Sequence, residues 1–249
     1  MSYAIHVYNH STVVSDADVF AMVLACDKYF IKFCSNWNVV YPKISFIKGK
    51  TVKLIPNIWV FVVIDDTDIA DTLAYHQDPH EEIAGYIFAK TILQYGGVVL
   101  YDGNKDTVAC ALCHEIAEAI INPSCNGWWD NLVDTYYAYE VCDPVQANIV
   151  PVSVRINRKN VVVGLSDYIL PTWSDVTCSK GPYNYKNTLL APFTLDPGGY
   201  CIIRSYTGTE NAIFGATNDQ LSQQKIKAKK NKYSRMNYIA TTHHEHTNK

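Results

Sequence analysis

His114, Glu115 and Glu118 fall in the run Cys113-His114-Glu115-Ile116-Ala117-Glu118, a His-Glu-x-x-Glu spacing. On a helix, side chains at i and i+4 stack on one face, so His114 and Glu118 converge where a divalent cation fits between an imidazole nitrogen and a carboxylate oxygen. Glu115, turned about 100° round the same helix, lies beside that point. A carboxylate placed there takes a proton from water that the cation has made acidic. With 8 histidines and seven glutamates in 249 residues, such a pattern arises by chance roughly 0.006 times. The competing reading is of three side chains that merely cap and solvate an exposed helix face, and the surrounding residues shift the balance towards a metal site.

A catalytic zinc takes three protein donors plus water. The segment Tyr139-Glu140-Val141-Cys142-Asp143-Pro144 supplies the third, in an apolar, tyrosine-rich stretch with few other charges. Glu140 is favoured over Asp143, because Pro144 biases Asp143 towards an extended turn, whereas Glu140 sits in an apolar run able to face the motif as strand or helix. Cys142 stays open as a sulfur donor, since in a strand it shares a face with Glu140. The expected site is therefore a divalent metal, zinc first, held by His114, Glu118 and Glu140, with Glu115 as general base.

Other constellations carry less. His76, Asp78, His80, Glu81 and Glu82 would make a second metal group only if a helix stacked them, and Pro79 breaks that helix, so a surface loop is expected. Asp65-Asp66-Thr67-Asp68 lacks the twelve-residue pattern of a calcium loop and reads as a solvated strand end. Cys110 and Cys113 lack the strand-to-helix turn of a redox pair and read as small buried apolar residues. The remaining cysteines are scattered, which suits a reduced interior. His243-His244-Glu245-His246 is a weak metal-binding tract near the chain end. The chain has no glycine-rich phosphate loop, no G-x-S-x-G turn and no basic-aromatic alternation for single-stranded nucleic acid.

The elements that must position the motif are legible from period and punctuation. Asp106 and Thr107 offer an N-cap, Val108 to Ile121 is a helix with Leu112, Ile116 and Ile120 on its apolar stripe, and Asn122-Pro123 stops it. Upstream, Tyr3 to Tyr8 is a strand. Asp16 to Trp37 is a long helix capped by Ser15, with Phe20, Val23, Leu24, Asp27, Ile31, Cys34 and Trp37 near its buried stripe. Lys43 to Lys48 is an alternating strand and Ile58 to Ile64 a central one. Gly85 to Ile92 makes another strand, and Val98 to Tyr101 a short one. After residue 145 the chain turns β-rich, with strands over Pro151 to Ile156, Asn160 to Leu165 and Tyr200 to Tyr206, the last following the turn Asp196-Pro197-Gly198-Gly199. Asp167 to Leu170 reads as an edge or loop segment.

This order of strand, long helix, strands, edge strand and motif helix over residues 3 to 145 resembles the N-terminal subdomain of zincin metallopeptidases. The resemblance implies an α+β fold: a zincin-like mixed sheet with a long backing helix and an active-site helix, followed by a β-rich C-terminal part. It also implies peptide-bond hydrolysis of a peptide or protein substrate, with Gly85 to Lys90 as the edge strand on which substrate pairs. Glu118 stands where the usual zincin has histidine, which makes the site harder and more anionic. A narrower resemblance links His114 to Glu118 with Asn122-Pro123, Tyr139 to Val145 and Ala191 to Tyr200 to metallopeptidase-like proteins of phages, large DNA viruses and some bacteria. It implies that the two carboxyl-rich segments share one site, and it opens the alternative of a non-enzymatic virion or assembly protein that keeps the fold.

Composition frames these expectations. A 48% hydrophobic content over 249 residues is enough to bury a large core. The division expected is 1–145 for the metal-binding part, 146–220 for a β-rich part walling the cleft, and 221–249 for a basic tail. That tail carries a formal +6 against −9 for residues 1–220, so contact with nucleic acid or an acidic protein surface is expected through Lys225 to Arg235, with a solvated extension as the other reading. The N-terminus lacks a basic region followed by an apolar run, and the longest apolar run, Ile58 to Ile64, is too short to span a bilayer. An intracellular or virion protein without a secretory signal peptide or membrane partner is expected.

Overall fold

The computed structural model describes residues 3–67, 72–79, 83–103 and 106–215. It is mixed α+β. The chain runs through β1 (Ala4–Asn9), α1 (Asp16–Trp37), β2 (Lys43–Ile47), β3 (Ile58–Ile64), β4 (Ala74–His76), β5 (Gly85–Phe88), α2 (Ala89–Gln94) and α3 (Val108–Ile121). It continues through β6 (Trp128–Asp130), β7 (Thr135–Ala138), β8 (Ile149–Ile156), β9 (Lys159–Ser166), β10 (Tyr200–Ser205) and β11 (Glu210–Phe214).

The first five strands form one sheet in the order β2-β1-β3-β5-β4. The β1 strand is parallel to both β2 and β3, β3 is parallel to β5, and β4 alone runs antiparallel, at the edge. Alternation along β3 explains the layering: Trp59, Phe61 and Val63 join the main core on one face, while Val60 and Val62 join Tyr8 in a small cluster on the other. Helices α1 and α3 pack on the first face, and the β8–β9 hairpin covers them in turn.

Helix α1 is held at its start by a capping box, in which Ser15 Oγ accepts from Asp18 N–H at 3.1 Å and the Asp18 carboxylate accepts from Ser15 N–H at 3.3 Å. Its buried stripe runs through Val19, Met22, Val23, Cys26, Phe30 and Phe33. Phe20 and Ile31, expected on that stripe, are 41% and 60% exposed. Apolar residues lie on most faces of this helix, so its rotation is fixed by the sheet and hairpin that clasp it rather than by its own pattern.

Three expectations are corrected around the edge of the sheet. The strand expected over Gly85 to Ile92 ends at Phe88, where α2 begins, and buried Ala89 and Ile92 share a face at a spacing of three. The edge is not Gly85 to Lys90 but β4, three residues long and too short for alternation to reveal. Gly85 lies inside the sheet, where a Cβ would come within 2.6 Å of the Phe61 ring and 2.9 Å of Tyr75 O. Among the described residues, Val98 to Tyr101 contributes a single bridge, from Val98 to Thr107.

Strands β6, β7 and β11 had no expectation, and with β10 they form a second sheet in the order β11-β10-β7-β6. Trp129 fastens that sheet to the core, with its ring 3.9 Å from Tyr139, 6.1 Å from Trp37 of α1 and 5.6 Å from Trp173. A single apolar cluster contains Ile5, Phe61, Leu112, Val145, Val163, Trp173 and Leu189, so core residues on the two sides of position 145 pack together. The basic tail, Asp68, His80, Glu81 and Glu82 lie outside the described residues.

Candidate metal centre

Helix α3 begins at Thr107, whose Oγ1 accepts from Cys110 N–H and donates to Gly164 O, both at 2.7 Å. It ends at Asn122, whose N–H donates to Glu118 O at 2.7 Å. Between these caps nearly every side chain is buried, Glu115 and Glu118 included. The i,i+4 spacing does what helical geometry requires: His114 Nε2 lies 3.1 Å from Glu118 Oε1.

The segment after β7 is neither strand nor α-helix at Glu140, and Asp143–Val145 forms a 3-10 turn. This corrects the extended turn expected at Asp143. Pro144 occupies the start of a helical turn, where its fixed φ is tolerated and its missing N–H costs nothing. Asp143 consequently aims at the motif, with Oδ1 3.2 Å from His114 Nε2. Cys142 is buried beside it, and its N–H donates to Glu118 Oε1 at 3.3 Å.

His76 is the second correction. It belongs to no surface loop: it is 2% exposed on β4, the strand that lies against α3. Its Nδ1 is 3.2 Å from Glu115 Oε2 and 3.9 Å from Glu118 Oε2, and its Nε2 is 3.3 Å from Asn122 O. Asp78, two residues on, is spent elsewhere, accepting from Ser124 Oγ at 2.9 Å. Asn122 is the other residue that spacing did not find. Its Oδ1 accepts from Asn126 N–H at 3.3 Å and Gly127 N–H at 3.0 Å, which turns its amide nitrogen towards Glu140 Oε1 at 3.4 Å.

The donors fall into two groups. His114, Glu118 and Cys142 offer ligand atoms all within 4.8 Å of one another, and so do His76, Glu118 and Glu140. The expected set of His114, Glu118 and Glu140 is thus divided, with Glu118 common to both halves. Glu115 sits beside the second group through its contact with His76.

Electrostatics suit a cation. Glu115, Glu118, Glu140 and Asp143 are each less than a tenth exposed, and carboxylates so buried need positive charge close by. Burial acts against a proton on His114, but Glu118, Asp143 and Glu115 outweigh it and hold the imidazole well above its ordinary range. The Cys142 thiol is pushed well above its ordinary range by burial and then by Glu118, so it becomes a good sulfur donor only when a cation is present. Two imidazoles, four carboxylates and a thiol fit a divalent metal of intermediate hardness. Solvent reaches the His114 side, where that side chain is 14% exposed; the His76 and Glu118 side chains are fully covered.

Comparison of the chain with protein-family models, with curated proteins and with solved structures finds no match.

Proposed function

We propose that the protein is a divalent-metal-dependent hydrolase of peptide bonds with a zincin-like arrangement, and that zinc is its ion. The observation that carries the reading is the convergence of His114 Nε2 on Glu118 Oε1 at 3.1 Å and Asp143 Oδ1 at 3.2 Å, with Glu115 on the same helix turn. The antiparallel edge strand β4 beside the motif helix also supports it. When bound, the ion supplies Lewis acidity to the scissile carbonyl and to water. His114 and Glu118 hold it, with a further donor from residues 140–143. Glu115 takes the proton from water and returns it to the leaving amine, and His76, 3.2 Å away, fixes the orientation of that carboxylate. Substrate backbone pairs along β4 as an added strand.

Glu115→Gln tests the reading, because the change is nearly isosteric and spares His114 and Glu118. Metal content and melting temperature are expected to hold, while chelator-sensitive cleavage of a peptide library falls on the order of 10²–10⁴. Wild-type protein loaded with zinc that cleaves nothing across a broad library would sink the hydrolase.

A second reading is favoured by the complete burial of the Glu118 and His76 side chains. In it the ion is structural, tying α3, β4 and the 139–143 segment together in a non-enzymatic assembly or virion protein. Chelation then unfolds the protein, whereas for the hydrolase it removes turnover first.

A further inference from the structure

We propose that the centre holds a pair of divalent cations bridged by Glu118: one against His114 with Cys142 and Asp143, the other against His76 and Glu140. This rests on the metal reading above and extends it from one ion to two.

The two oxygens of Glu118 face different partners. Oε1 lies 3.1 Å from His114 Nε2 and accepts from Cys142 N–H, while Oε2 points to His76 Nδ1 at 3.9 Å. A carboxylate engaged in this way, on the helix between two donor groups, is disposed as a bridge. Each group is compact enough for its own ion, with ligand atoms within 4.8 Å of one another.

The His76 ring carries the argument further. Its Nε2 faces the carbonyl oxygen of Asn122 at 3.3 Å, and a carbonyl only accepts, so Nε2 carries a proton. Metal-bound histidines characteristically donate their other ring N–H to a backbone carbonyl in this way. Nδ1 is directed at Glu115 Oε2 and Glu118 Oε2, so it either carries a second proton that they accept or offers its lone pair to a cation between them. Either way positive charge lies between the ring and the two carboxylates, and a divalent cation is the form of it that the two donor groups can hold. The second member of this group is prepared as well, because the Asn122 amide donates to Glu140 Oε1 at 3.4 Å. Asn122 therefore contacts both off-helix ligands of this second group, His76 and Glu140.

The full chain, stripped with chelator and reloaded with Mn(II), provides the test through elemental analysis and electron paramagnetic resonance. About two ions per chain with an exchange-coupled spectrum are expected. His76→Gln and the nearly isosteric Glu140→Gln should each lower the count to about one and leave an isolated-ion spectrum. His114→Gln should do the same from the other side, with folding checked for each variant by thermal melting. A wild-type count of one, with an uncoupled spectrum, overturns the pair and leaves the hydrolase standing, since a lone proton then bridges His76 to its carboxylates. Two ions retained in both folded Glu140→Gln and His76→Gln overturn the assignment of ligands. No bound metal at all removes both readings together.

Discussion

Asn122 reads in the sequence as the residue that stops a helix, yet four polar contacts give it a larger part. Its backbone carbonyl faces His76, its side-chain oxygen accepts two backbone N–H groups of the following loop, and its amide nitrogen reaches Glu140. Gly127 permits this, since a Cβ there would come within 2.5 Å of the Tyr139 ring and 3.1 Å of Asn122 Oδ1. Replacing Asn122 with Ala removes the side-chain contacts and keeps the backbone. The expected result is a loss of metal affinity on the order of 10–100-fold, as for other residues that orient ligands, together with about 1–3 kcal/mol of stability from the two N–H groups left without an acceptor. Competition against a chelating dye reads the first and denaturant unfolding the second. Unchanged affinity would show that Glu140 needs no such support.

The elements around the site are joined by polar residues at their ends. Thr107 both caps α3 and ties it to Gly164 of β9, so Thr107→Val, which keeps the shape and deletes both hydrogen bonds, should cost about 1–3 kcal/mol by denaturant unfolding. Beyond β9, Asp167 accepts from Tyr168 N–H at 2.8 Å, Lys186 N–H at 3.2 Å, Asn184 Nδ2 at 2.6 Å and Asn148 Nδ2 at 3.3 Å, which holds the 184–188 loop against the hairpin. Burial nevertheless pushes its carboxyl up from 3.8 to about 6, against the pull of those donors. A folded-state value above the unfolded one means that the folded form binds the proton more tightly. The stabilisation from this group is therefore full below pH 3.8 and is lost as pH rises through about 6, a change on the order of 3 kcal/mol. Asp167→Asn should flatten that part of the pH–stability curve relative to wild type. Identical slopes in the two proteins would show that Asp167 does not titrate there.

Across the whole molecule, the β8–β9 hairpin closes the core over both main helices, and Val163, Leu165 and Trp173 belong to the same apolar cluster as Ile5 and Phe61. A fragment ending at residue 145 exposes that face of α1 and α3, and it is expected to lack a cooperative thermal transition and a dispersed amide spectrum. A sharp, reversible melt of the fragment would show instead that the first five strands and their helices suffice. Removal of residues 221–249 is a different experiment, because it takes away the formal +6 of the tail. Melting temperature and metal content should stay as in the full chain, while binding to duplex DNA or an acidic polymer weakens and loses its salt dependence. Among the described residues no helix is long and apolar enough to cross a membrane.

Sequence alone determined what local geometry controls. A 3.6-residue repeat, a capping side chain and an Asn-Pro stop specify α3 over Val108–Ile121, and the same repeat brings His114 to Glu118 without help from the rest of the chain. For the same reason α1 and β3 span the residues expected of them. Glu140, Cys142 and Asp143 were legible as a carboxyl-rich segment, but not which of them faces which histidine, because a 3-10 turn at Pro144 leaves no periodic trace. His76 was legible as a candidate ligand within its own segment, but not as a partner of the motif helix. It stands 39 residues from Glu115 on a three-residue strand, and only the pairing of that strand with β5 at the sheet edge lays it against the helix. Contacts so distant along the chain are set by strand order and packing, which join surfaces whose sequences carry no record of one another.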